Sequence, residues 1–146
     1  MTESGMRDAV RRVTYTNGMT QWVELGLDPT AAEIIGQCVA TEVNLTGANV
    51  ILCVENEEDA VLSHIVARNV GATRVILEEQ EGLIGLSHAL DSGSKVAFLS
   101  VSPNRLRPRE VLRRFLQLHE AELVGMFTLA SGGSDEDVVM VVAHGA

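Results

Sequence analysis

Aromatic residues make up only 3% of this chain, with one Trp, one Tyr and three Phe, so it offers no stacking platform for single-stranded nucleic acid. Basic residues are also scarce. Eleven Lys and Arg against twenty Asp and Glu give a formal net charge of -9, which excludes a general nucleic-acid binder, because phosphate neutralisation needs a basic face. There are two cysteines, Cys38 and Cys53, too few for a disulfide framework and not in a CxxC pair. Both read as small buried hydrophobes. No apolar run approaches the roughly 20 residues that span a bilayer, and Met1, Thr2, Glu3 and Ser4 do not form a charged-then-apolar leader, so a cytoplasmic protein without membrane contact is expected. Metal spacing is missing as well: His64, His88, His119 and His144 form no HxxxH or HxH and have no cysteine nearby, so no metal site is expected. No G-x-S-x-G elbow, P-loop or G-x-G-x-x-G is present, which leaves serine hydrolysis and dinucleotide binding without support.

What remains is 146 residues, 46% hydrophobic and 21% charged, the composition of one folded domain. Residues 1–27 read as an irregular appended segment, polar and glycine-containing, with a short alternating stretch from Val13 to Thr16. Residues 28–146 read as a single α/β domain. Asp28 followed by Pro29 is a helix start, the carboxylate capping free amides and the proline occupying the first helical position. Ile34, Ile35, Cys38 and Leu45 carry the helix's apolar stripe. Asn49 to Val54 is a continuous apolar run of strand length, as in a parallel sheet buried on both faces. Asn56 caps a helix using Ala60, Val61, Ile65 and Val66 and stopping near Gly71. Thr73 to Leu77 is a second strand, Glu78 to Asp91 is glycine-punctuated with some helical character, and Lys95 to Val101 is a third strand. Pro108 opens a helix carrying Val111, Leu112, Phe115 and Leu116. Glu122 to Leu129 and Val138 to Val142 are closing strands, and the Ser131 to Glu136 cluster between them is too short for a crossover helix, so this pair should be antiparallel.

Strands alternating with helices imply a doubly wound, mostly parallel sheet, in which ligands bind beyond the carboxyl ends of the strands where the winding reverses. If the first and third strands are central neighbours, that crevice is flanked by Glu55 to Asp59 and by Ser100 to Arg107.

The order of these segments resembles the type I phosphoribosyltransferase family over roughly residues 28–130. The resemblance is carried by the strand and loop Val50 to Asp59, the helix end Asn69, Val70, Gly71, Ala72, the approach to a strand at Leu90 to Leu99, and the helix leading into Ala121 to Leu129. It implies a phosphoribosyltransferase-like sheet and a third strand ending in two acidic residues that hold ribose hydroxyls. A Thr/Gly-rich turn should then cradle the 5-phosphate of phosphoribosyl pyrophosphate (PRPP). Here Ser100 and Val101 stand where the acids belong, and Ser102, Pro103, Asn104, Arg105, Leu106, Arg107 and Pro108 replace the turn. Glycine's freedom at positive φ is gone, and prolines supply no N–H. The family's pyrophosphate loop becomes Glu55, Asn56, Glu57, Glu58, Asp59, and Glu78 and Glu79 come after the second strand where relatives often carry a basic residue. At an effective dielectric near 20, one unit-charge pair about 4 Å apart repels by about 4 kcal/mol. Two or three such pairs cancel the roughly 8 kcal/mol of micromolar binding, unless a magnesium ion bridges the charges.

Both loops have two readings. The acidic loop, Glu55, Glu57, Glu58 and Asp59, is either a metal site or negative charge at a helix N-terminus. The cluster Arg105, Arg107, Arg109, Arg113 and Arg114 is either a solvated helix face or an altered anion site, with Ser100, Ser102, Asn104, Arg105 and Arg107 as its candidate ligands. A third reading has the two loops neutralising one another by salt bridges and closing the crevice. The expectation is therefore a degenerate member of the family, a binding or regulatory module with no catalytic residues and no cofactor, homodimeric by analogy, with a phosphate-containing small molecule as candidate ligand. One alternative is a divergent Mg2+-dependent phosphoribosyltransferase of nucleotide salvage. Another is a degenerate receiver domain, since Val50 to Ala60 resembles a receiver's acid-pair start, although Ser100 replaces its phosphorylated aspartate.

Overall fold

The computed structural model describes residues 3–102, 105–132 and 138–144. Helix α1 (Glu3–Val13) leads into a hairpin of β1 (Thr14–Asn17) and β2 (Thr20–Val23) and a 3₁₀ turn (Leu25–Leu27). The irregular structure expected of residues 1–27 is thus replaced by a helix and a hairpin. Met6, Ala9, Val10 and Val13, spaced i, i+3, i+4, i+7, give α1 an apolar face that is buried in the main core. Gly18, at φ 64°, takes the first position of the two-residue hairpin turn, which a residue with a Cβ rarely adopts.

Helix α2 (Pro29–Asn44) begins as its sequence implies: the Asp28 side chain accepts from the Ala31 N–H at 3.0 Å and Pro29 opens the first turn. Strand β3 (Val50–Val54) and helix α3 (Glu57–Val70) come next. The Asn56 side chain caps α3 by accepting from the Glu58 and Asp59 amides, and Gly71, at φ 79°, ends it. The two helices pack closely at Gly36, where a Cβ would lie 2.1 Å from Ile65 Cγ2.

Strand β4 (Thr73–Gln80) runs on beyond its apolar part into a tight turn at Glu81 and Gly82, both at positive φ, and returns as β5 (Leu83–Leu86). The helical character expected between Glu78 and Asp91 is absent. A turn with both central residues at positive φ matches strand twist and closes an antiparallel hairpin instead. Strand β6 (Lys95–Ser100), helix α4 (Arg109–Leu118), β7 (Glu122–Gly132) and β8 (Val138–His144) complete the chain. Strand β7 takes in Ser131 and Gly132 of the expected turn cluster, while Gly133, Ser134, Asp135 and Glu136 lie outside the described residues.

The sheet order is β5-β4-β3-β6-β7-β8. Strands β4, β3, β6 and β7 are parallel, and β5 and β8 close the two edges antiparallel. This is the α/β, doubly wound, mostly parallel sheet that the alternating pattern implies, with a further antiparallel strand at the β5 edge. Alternation along the central strands divides two cores. Ile51, Ala97 and Leu99 face α1, α2 and α3, whereas Val50, Leu52, Val96 and Phe98 face Leu112 and Leu116 of α4. The closing antiparallel pair has no place in a receiver domain, whose sheet is wholly parallel, so that alternative is set aside. Among the described residues, no helix is long and apolar enough to cross a membrane.

Candidate functional site

Strands β3 and β6 are adjacent and parallel, so the acidic loop after Val54 and the turn after Ser100 emerge side by side at the same sheet edge. Glu57, Glu58 and Asp59 form the first turn of α3, where carboxylates favour the helix dipole. Their side chains have separate fates. Glu55 and Glu57 are exposed. Glu58 reaches back to the N-terminal segment and accepts from the Leu25 N–H at 2.6 Å.

Asp59 is fully buried, with 0% exposure. Its carboxylate accepts from three groups at and beyond the end of β6. The Val101 N–H donates to Oδ1 at 2.7 Å, and the Ser100 hydroxyl lies 3.0 Å from Oδ2 and 3.2 Å from Oδ1. The Arg105 guanidinium grips both oxygens, Nε to Oδ2 at 3.1 Å and Nη2 to Oδ1 at 3.3 Å. The turn is further tied by Ser102 N–H to Ser100 Oγ at 3.3 Å and by Arg105 N–H to the Ser102 carbonyl at 3.1 Å. A buried carboxylate is tolerated only when paired and hydrogen-bonded, and this one has a fork, a hydroxyl and a backbone amide.

The candidate residues therefore divide. Ser100, Arg105 and Asp59 are in direct contact, with Ser102 joined through its amide. Arg107 turns away and pairs with Glu79 of β4. Asn104 lies outside the described residues. A groove of about 620 Å³ opens between the β3 loop and the β4–β5 hairpin, with Glu55, Glu78, Glu79 and Glu81 among its walls. Its charge is wrong for a polyphosphate. Among the described residues, no group of three or more His, Cys, Asp or Glu is arranged to hold a metal ion.

Two participants were hidden from the sequence. The Val101 amide is a donor because the chain turns there, and no residue type announces it. The bond from Glu58 to Leu25 spans 33 positions and depends on the N-terminal segment folding over α3. The separate position of Asp59, third in its helix and facing β6, is a result of helical spacing once α3 is placed beside β6.

No protein-family model matches this chain, and no curated protein matches its sequence. Solved structures do match. Adenine phosphoribosyltransferase from Rhodothermus marinus DSM 4252 superposes with a TM-score of 0.65 at 12% identity, covering 88% of this chain and 86% of that one. The adenine phosphoribosyltransferase of Thermoanaerobacter pseudethanolicus ATCC 33223 gives 0.61 at 10% identity, covering 84% and 85%. That of Trypanosoma brucei, in complex with AMP, pyrophosphate and ribose-5-phosphate, gives 0.60 at 12%, covering 88% and 68%. The resemblance seen in the order of the segments is a resemblance of fold: this chain has the phosphoribosyltransferase-like α/β architecture.

Proposed function

We propose that this protein is a phosphoribosyltransferase-fold module that no longer transfers phosphoribosyl groups and acts as a binding or regulatory component connected with nucleotide metabolism. The fold of its structural neighbours supports the connection. The Asp59 network carries the rest. In an acceptor turn for a phosphate, amide, hydroxyl and guanidinium donors must be available to the ligand. Here Val101, Ser100 and Arg105 already donate to a carboxylate of the same chain. The groove at the β4–β5 hairpin adds glutamates, so a pyrophosphate entering there meets repulsion on the order of 4 kcal/mol for each close charge pair. The module works without a cofactor, as a cytoplasmic homodimer, and its candidate ligand is a phosphate-containing small molecule.

Isothermal titration of PRPP with Mg2+ into the full chain tests this reading. No heat and no pyrophosphate release with any nucleobase are expected. Micromolar binding would favour the divergent transferase of nucleotide salvage, with Ser100, Ser102, Asn104 and Arg105 around the ribose phosphate and Mg2+ as its cofactor. A thermal-shift panel of nucleotides and nucleobases then seeks the ligand, since binding to the folded state alone raises the melting temperature. Light scattering during gel filtration checks the dimer.

A further inference from the structure

We propose that Ser100, Val101 and Arg105 together form a complete oxyanion site whose resident occupant is the chain's own Asp59 carboxylate. The inference rests on the closed-crevice reading above and names what does the closing. An ordinary buried ion pair needs one cation opposite one anion. Here Val101, Ser100 and Arg105 supply a backbone N–H, a hydroxyl and a bidentate guanidinium, aimed at the two oxygens of one group. That donor kit is what proteins use for a free carboxylate or phosphate oxygen pair. The occupant comes from a different element, 41 to 46 positions away, and is wholly enclosed. Arg105 keeps 33% of its side chain exposed, so the site has one side toward solvent.

A tethered occupant competes at an effective concentration on the order of millimolar or more, well above that of dilute free anions. The wild-type chain should therefore ignore added formate at this site. Removing the carboxylate while leaving the turn should uncover the site. Asp59→Ala deletes the carboxylate and leaves a space of formate size facing Ser100, Val101 and Arg105.

The test is a thermal-melting titration of the full-length wild type, Asp59→Ala and Asp59→Ala/Arg105→Ala with sodium formate, against chloride at matched ionic strength. Asp59→Ala is expected to melt well below wild type in chloride and to regain about 5 °C in formate. The wild type should barely respond, and the double variant should lose the response. An equal response in wild type and Asp59→Ala would overturn the proposal. So would a response that survives removal of Arg105. If Asp59→Ala is unfolded in chloride, recovery of its far-UV ellipticity on adding formate supports the proposal, and failure of formate to restore it counts against it. The two readings can fail separately: an unresponsive Asp59→Ala removes the resident-occupant inference only, whereas heat from PRPP and Mg2+ with the wild type removes the non-transferring function.

Discussion

Arg105 and Arg107 are two residues apart, each meets a carboxylate at the same sheet edge, and the two pairs are physically unlike. Arg105 grips an enclosed Asp59 that also receives a hydroxyl and an amide, while Arg107 meets Glu79, whose side chain is 45% exposed. The first pair holds two loops together. The second is a surface contact competing with water and salt. Sequence proximity and charge sign are identical for both arginines, so what separates them is whether the partner carboxylate can reach solvent once the bond is broken. Asp59 cannot, and the cost of a lost partner falls on the folded state.

Breaking the buried pair gives the largest expected effect. Arg105→Met leaves Asp59 enclosed with only its hydroxyl and amide donors, and should cost about 3 kcal/mol, the low end of the range for a broken buried pair because Arg105 is partly exposed. Chemical denaturation measures it, and hydrogen exchange should show the Val101 amide losing protection. Ser100→Ala removes the hydroxyl that donates to Asp59 and accepts from the Ser102 amide, and should cost about 2 kcal/mol by the same measurement. Glu79→Ala should cost less than about 1 kcal/mol, a difference that 1 M salt should erase, whereas the Arg105→Met deficit should persist in salt. A deficit as large for Glu79 as for Arg105 would abolish the distinction.

The smallest effect belongs to a third arginine contact, on α4. Hydrogen bonding from Arg113, reinforced by its charge and by Arg114, holds the exposed Glu110 carboxyl down to about 2 from an ordinary 4.5. A carboxylate lowered on folding contributes stability that is complete above its unfolded value and is lost as pH falls through the folded one. The Glu110 contribution should thus fade between about 4.5 and 2. Carboxyl-carbon NMR should place its midpoint well below that of an ordinary glutamate, and Arg113→Ala should move it back up.

Much of the sheet was legible because strand patterning and helix caps are local. Asp28 with Pro29, Asn56 and Gly71 mark real helix ends, and the apolar runs mark β3, β4 and β6. Helix α1 escaped because Arg7, Asp8, Arg11 and Arg12 dominate its composition, although Met6, Ala9, Val10 and Val13 keep helical spacing. The β4–β5 hairpin escaped because its turn is Glu81-Gly82, in which a glutamate takes the positive φ usually signalled by Asn or Asp. At the site, the opposing charges could be read, but not which carboxylate would be enclosed. That depended on β3 and β6 being neighbours and on the side of α3 that faces the sheet. Arg107 was grouped with Arg105, and only the length of β4 beyond its apolar part brings Glu79 within its reach.

The opening turn of α3 uses three nearby side chains on three different strangers: Asn56 on its own helix amides, Glu58 on Leu25, and Asp59 on the turn beyond β6. Each residue added to or deleted from a helix rotates every later side chain by about 100° about the axis. A single-codon insertion between Asn56 and Glu58 would therefore misdirect Glu58 and Asp59 at once. Such a lineage could not unfasten one flap by degrees, because the entry segment and the far loop would come loose in the same genetic event.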